Sequence, residues 1–216
     1  TLTLLGSNYH EGKSRTDVVL YDLTDPKNPV EKRTVTFDGN LLSSRKIGDR
    51  VYVVTNAYPN YGIMPLNNDV EFDVQSSIVP KYFDSTVGKE MPVAPCTDIR
   101  FYPRYTDPNF LIVASLSLTS EDKAVAREVF MGMGGTVYAS TQNLYVAAPE
   151  YGYDELVRYD IWSPPVTNEK TVFYRFELNE GAVAFRGKGS VSGHLLNQFA
   201  MDENGDEFRV ATTKSE

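Results

Sequence analysis

Phe37-Asp38-Gly39 leads into an alternating run that ends in Val51-Tyr52-Val53-Val54, and Phe130-Met131-Gly132 leads into one that ends in Leu144-Tyr145-Val146-Ala147. The Phe-to-Tyr spacing is 15 residues both times (52−37 and 145−130). Phe185-Arg186-Gly187 opens a third copy, which ends near Phe208-Arg209-Val210-Ala211. All-β units that recur every ~40–60 residues are the mark of a repeat architecture, each unit being one small sheet.

The residues around each copy place the strands. Asp17 to Leu23 reads as a strand, Thr24 to Pro29 as a turn, and Val30 to Phe37 as an alternating partner strand. The same events return at Phe110 to Leu118, a turn at Thr119 to Lys123, and Ala124 to Phe130. They return again at Thr171 to Leu178, the tight turn Asn179-Glu180-Gly181, and Ala182 to Phe185. With blade strands labelled A (innermost) to D (outermost), these runs are C followed by D, and each Phe-x-Gly is the corner that leaves D. The A strands follow at Leu41 to Ile47, Thr136 to Ser140 and His194 to Met201. The B strands follow at Arg50 to Asn56, Asn143 to Ala148 and Glu207 to Thr212, and Leu2 to Tyr9 opens the chain as a B strand.

The expectation is an all-β chain, a partial β-propeller of about three to four blades of four-stranded antiparallel sheets that starts and ends in mid-blade. Strands B, C and D of blade 1 take residues 1–39. Blade 2 takes 40–132 with an insertion at 57–109, blade 3 takes 133–189, and strands A and B of a fourth take 190–216. Glu150 to Ile161 is the best candidate for a short helix. Open strand edges invite self-association unless loops shield them.

Strand order also assigns each loop a face. B–C and D–A connections share one rim, and the B–C segments Ser7 to Thr16, Ala57 to Asn109 and Pro149 to Lys170 are long and aromatic. Tyr58, Tyr61, Tyr82, Tyr151, Tyr153 and the single Trp162 are therefore the candidate ligand-binding residues, unless these loops form a self-packed structural lid. The A strands put Ser44, Arg45, Asn197 and Gln198 toward a central channel, where Arg45 pairs with a carboxylate such as Asp22, Asp38 or Asp98 or receives an anion.

Composition narrows the chemistry. Of 216 residues, 41% are hydrophobic and 23% charged, as in a globular chain, and the net charge of −8 leaves no basic footprint for nucleic acid. No apolar run approaches the ~18 residues needed to insert in a membrane. Cys96 is alone, which excludes an internal disulfide and reads as a small buried side chain. Only His10 and His194 offer imidazole, and Gly189-Ser190-Val191-Ser192-Gly193 puts Val where a nucleophile elbow needs Ser. No catalytic residue and no required cofactor is expected. Calcium is the one possible ion, at Asp202, Asn204 and Asp206, but Asn204-Gly205 between alternating runs is a hairpin signal, and Glu207 and Thr213 stand where a calcium loop needs Gly and Glu.

Several stretches carry a family resemblance. Tyr21-Asp22-Leu23-Thr24-Asp25-Pro26, Leu42-Ser43-Ser44-Arg45 running into Val51-Tyr52-Val53-Val54-Thr55, Val137-Tyr138-Ala139-Ser140 and, above all, the tail from Gly193 to Glu203 ending in Arg209-Val210-Ala211-Thr212-Thr213 stand out. In these the chain resembles bacterial and archaeal secreted proteins with a C-terminal β-propeller domain distantly related to WD40 repeats. The resemblance implies an extracellular or cell-envelope location and no established reaction. The expected function is a non-enzymatic interaction scaffold that binds a protein or glycan through the long-loop rim. The alternative is a calcium-dependent, hydrolase-like propeller with its site in the channel.

Overall fold

The computed structural model describes residues 1–10, 12–59, 73, 77–101, 108–120, 123–153 and 167–214. The chain is all-β and divides into two compact units, Thr1–Met133 with Asn179–Val183, and Gly134–Leu178 with Ala184–Glu216. Among the described residues, no helix is long and apolar enough to cross a membrane.

In the first unit the strands are β1 (Leu2–His10), β2 (Lys13–Asp22), β3 (Val30–Asp38), β4 (Asn40–Ile47), β5 (Arg50–Ala57), β6 (Lys81–Asp84), β7 (Lys89–Pro92), β8 (Phe110–Ser117) and β9 (Ala126–Met131). They form a five-stranded sheet in the order β1-β2-β3-β6-β7 and a four-stranded sheet in the order β4-β5-β8-β9. Period-two alternation decides what is inside: β2 buries Thr16, Val18 and Leu20, and β3 buries Arg33, Val35 and Phe37. The unbroken apolar runs of β5 and β8 are buried along nearly their whole length, as strands covered on both faces must be. Val18, Val35 and Phe37 pack with Val53, Ile112 and Leu116 in one core.

Two expectations fail in this unit, each for a physical reason. The connection at Ser7 to Thr16 is no long loop. Cross-strand pairs continue to Tyr9↔Ser14 and His10↔Lys13, and Gly12 supplies the positive φ (79°) of a tight turn. The insertion at 57–109 is not only a surface loop either, because its hairpin β6–β7 adds to the outer edge of β3 with Phe37 opposite Tyr82. That addition covers an edge that would otherwise be open.

A buried ion pair fastens the hairpin. Arg33, in phase with Val35 and Phe37, is 1% exposed. Its Nε donates to Asp84 Oδ1 at 3.1 Å and its Nη2 to Asp84 Oδ2 at 2.5 Å, while Nη1 donates to the Lys123 carbonyl at 2.9 Å. Asp84 also accepts the Thr86 N–H and hydroxyl. Burial alone raises the Asp84 carboxyl, but the hydrogen bonds from Arg33 and Thr86 outweigh it and leave the group below its ordinary value of 3.8.

The second unit holds β10 (Thr136–Ala139), β11 (Asn143–Tyr153), β12 (Thr167–Asn179) and β13 (Ala182–Ser192) in one four-stranded sheet. It then holds β14 (His194–Leu195), β15 (Met201–Asn204), β16 (Glu207–Val210) and β17 (Thr212–Thr213). β14 pairs with β17 and β15 with β16, so these four segments make one hairpin, interrupted by a helical turn at Gln198–Ala200. Glu150 to Tyr153 continue β11 as strand instead of starting a helix, and 154–161 lie outside the described residues.

The third corner also moves. Gly187 lies in the middle of β13, and the turn falls at Gly193 (φ 92°), which matches Gly39 (φ 102°) in detail. Gly39 donates its N–H to the Ser14 carbonyl and accepts the Thr16 hydroxyl at 2.9 Å. Gly193 donates to the Glu169 carbonyl and accepts the Thr171 hydroxyl at 2.7 Å. A Cβ at Gly39 would run into the Asn56 carbonyl, and one at Gly193 into the Thr213 carbonyl.

Two sets of variants test this account. Asp84→Ala leaves a buried guanidinium unpaired and is expected to cost about 3–5 kcal/mol in urea unfolding, while Arg33→Met with Asp84→Leu recovers much of that loss. Because the Asp84 pKa is lowered, its contribution is complete above the ordinary aspartate value and disappears as pH falls through the lowered folded value. Gly39→Ala and Gly193→Ala are each expected to lose roughly 2 kcal/mol or more, whereas Gly187→Ala, with open space around it, leaves the melting temperature almost unchanged.

Candidate functional site

The Gly39 corner, the Gly12 turn and the chain leaving β5 at Ala57 meet at one end of the first unit's sheets. They border a cleft of about 480 Å³ lined by Tyr9, Ser14, Asp38, Tyr58, Ser77 and Lys81, with Ile78 and Val79 as part of its apolar wall. Tyr9 is 74% exposed and Tyr58 53%, so two phenol rings stand at the cleft with much of their surface in water. The Tyr58 hydroxyl donates to the Met133 sulfur at 3.6 Å.

The charges of Arg15, Asp38, Lys81 and Glu90 at the cleft compensate one another, and the exposed Lys13 also lines it. Asp38 accepts the Lys81 backbone N–H at 2.9 Å and lies 3.8 Å from the Arg15 guanidinium. Arg15 reaches Glu90 at 3.1 Å, and the Lys81 ammonium is 3.8 Å from the same carboxylate. Neither Ser14 nor Ser77 is hydrogen-bonded to a histidine or a carboxylate among the described residues. Such a lining can hold a ligand by ring faces, hydroxyls and backbone groups, and it offers no activated nucleophile.

The sequence-selected residues scatter. Tyr58 lines the cleft. Tyr82 does not: it is 7% exposed, stacks on Phe37 (centroids 6.0 Å apart) and carries the Arg127 guanidinium 4.1 Å over its ring. Its place on β6 makes it core rather than contact surface. Tyr151 and Tyr153 belong to β11, opposite Glu169 and Thr167, rather than to a loop. Tyr61 and Trp162 lie outside the described residues. Cys96, expected inside, is exposed in a helical turn.

Ser44 and Arg45 sit on β4, where Arg45 donates to the Ser43 hydroxyl and the Ser44 carbonyl, both at 2.7 Å. Of its expected partners, Asp22 accepts from Thr24 and lies 3.9 Å from Lys32, and Asp38 faces Arg15. Asn197 caps the helical turn by accepting the Phe199 N–H at 2.9 Å, and Gln198 is the first residue of that turn, so neither continues an A strand. Asp202 and Asn204 are paired residues of β15, and Asp206 is in its turn beside Gly205 (φ 61°). Among the described residues, no group of three or more His, Cys, Asp or Glu could hold a metal ion.

Sequence reasoning placed Tyr9 and Ser14 in a rim segment without selecting either residue, reading Ser7 to Thr16 as a loop and not a hairpin, and it read Asp38 as a partner for Arg45. The available signal was the alternation of Ser7, Tyr9 and then Ser14, Thr16 on one face of a hairpin turned by Gly12.

Four-stranded antiparallel sheets joined by matching glycine corners agree with the sequence match: residues 5–216 fit the beta propeller domain. The chain belongs to the beta propeller domain family. No curated protein and no solved structure matches it.

This propeller domain has a second polar cluster, in its second unit. Tyr145 and Phe208 stack face to face, with centroids 3.7 Å apart and planes 1° from parallel, and Tyr138 and Phe173 close around Phe208. Buried Asn143 donates to Glu203 Oε1 at 2.7 Å and accepts from Arg175 at 3.0 Å. The Tyr138 hydroxyl accepts the Glu203 N–H at 3.1 Å. Burial, and then the neighbouring Glu203 carboxylate, push the Tyr145 phenol up to about 12. These contacts hold the β14–β17 hairpin on the β10–β13 sheet.

A raised phenol is one that the fold keeps protonated. Its contribution is complete below the ordinary tyrosine value of 10.0 and is lost as pH rises through about 12. In an ultraviolet titration, Tyr145→Phe is expected to remove a component near the top of the range, and Glu203→Gln to bring that component down. An unchanged profile in both variants refutes the assignment.

Proposed function

We propose that this propeller domain is a non-enzymatic interaction scaffold that binds a protein or glycan partner at the cleft between the β1–β2 turn, the Gly39 corner and the chain after β5. The observation that carries this reading is the pair of exposed rings, Tyr9 and Tyr58, at a concave surface. Exposed tyrosine supplies rigid amphipathic contact area at small entropic cost. An extracellular or cell-envelope setting for the scaffold rests on the resemblance of Tyr21 to Pro26 and of the Gly193 to Glu203 tail to exported propeller proteins.

The test is a binding screen against a glycan panel and purified envelope proteins, with Tyr9→Ala and Tyr58→Ala beside the parent chain. The expected outcome is a ligand bound by the parent and lost in both variants at unchanged melting temperature. Variants that instead melt several degrees lower, with binding retained by the folded fraction, identify the rings as a structural lid.

A further inference from the structure

Resting on the binding-face reading above, we propose that the ligand of this cleft is a neutral oligosaccharide, held against the rings of Tyr9 and Tyr58. Scale is the first argument. A folded protein partner covers about 800 Å² on each side, usually on a flatter patch, whereas a cleft of about 480 Å³ has the size of a small-ligand site.

Backbone accounting is the second. An extended peptide gains affinity by joining an unpaired ladder, and five backbone groups at this cleft already have partners. Gly39 is bonded through its N–H to Ser14 and through its carbonyl to Thr16. The Lys81 N–H is taken by Asp38, the Ser77 N–H by the Asp73 carbonyl, and the Pro80 carbonyl by the Val93 N–H.

The chemistry of the lining is the third. Asp38 is the one carboxylate among the described lining residues, and it is occupied by Lys81 and Arg15. What remains in the lining is two phenol rings, the hydroxyl residues Ser14 and Ser77, and the exposed side chain of Lys13. Hydroxyls both donate and accept, and a ring face receives apolar C–H groups. A pyranose presents that same combination: an apolar C–H face with hydroxyls around its edge. A neutral sugar needs no charged partner here: the one carboxylate is occupied, and the Lys13 ammonium, also in the lining, can donate to sugar hydroxyls.

Saturation-transfer NMR of the whole chain with maltotriose, cellotriose and mannotriose tests this. A second arm uses a high-mannose glycoprotein and its enzymatically deglycosylated form, which separates a free saccharide from a protein-borne glycan. The expected result is transfer to at least one trisaccharide, or glycan-dependent binding of the glycoprotein. Tyr9→Ala and Tyr58→Ala should each weaken it about tenfold, and Tyr9→Phe and Tyr58→Phe should keep it. Silence from all three sugars together with equal binding of both protein forms overturns the saccharide assignment. If that equal binding is lost in Tyr58→Ala, the face still binds protein and the broader reading stands. Sugar binding that persists undiminished in both alanine variants overturns the cleft as the site.

Discussion

The buried Arg33–Asp84 pair is the constraint on which the first unit depends. A guanidinium on the inner face of β3 is tolerable only with its donors satisfied, because an uncompensated charge in a low-dielectric interior costs several kcal/mol. Asp84 fills two of those donors from a hairpin 51 residues away in sequence, and the Lys123 carbonyl fills a third from the β8–β9 connection. One side chain therefore ties the β6–β7 hairpin to β3 and reaches the neighbouring sheet. Hydrophobic burial of Phe37, Tyr82 and Val35 supplies the bulk of the cohesion, but it does not by itself specify which hairpin caps β3. The fork geometry of Arg33 does, since only a carboxylate placed as Asp84 is satisfies it bidentately.

Once the hairpin is fixed, the cleft follows. β6 begins at Lys81, whose N–H is bound by Asp38 at the end of β3, one residue before the Gly39 corner. The segment Ser77 to Pro80 is thereby brought beside Tyr58, and the β1–β2 turn with Tyr9 closes the other side. The corner is made by chemistry that recurs: a buried threonine two positions along the preceding strand donates to the glycine carbonyl, as Thr16 does to Gly39 and Thr171 to Gly193. The Gly132 corner departs from this pattern. Gly132 still donates to the Asn109 carbonyl, but Leu111 occupies the threonine position.

The two polar clusters do different work because of their surroundings. At the cleft, Arg15, Asp38, Lys81 and Glu90 neutralise one another near water, beside the exposed rings of Tyr9 and Tyr58. Around Phe208 the aromatic rings exclude water, and the Asn143–Glu203–Arg175 bonds orient a hairpin. The same residue types thus stand in water in one place and give cohesion in the other, according to how far their rings are exposed.

The sequence by itself determined the strands and most of their order. Local alternation and turn residues are short-range properties, so Asp17 to Leu23, Val30 to Phe37, Arg50 to Asn56 and Phe110 to Leu118 are legible without any partner. So is the turn at Asn204-Gly205, because Asn-Gly encodes its own backbone geometry. Tyr58 was legible as a cleft residue because it opens the long aromatic-rich segment after β5. Tertiary structure alone decided the rest. Tyr82 looks like its exposed counterparts until pairing of β6 with β3 buries it, and Gly187 looks like a corner until the length of β13 moves the turn to Gly193. Arg33 was in phase with the core, yet its partner Asp84 could not be named, because which carboxylate meets a buried charge is set by the path of the intervening chain and not by any residue near it.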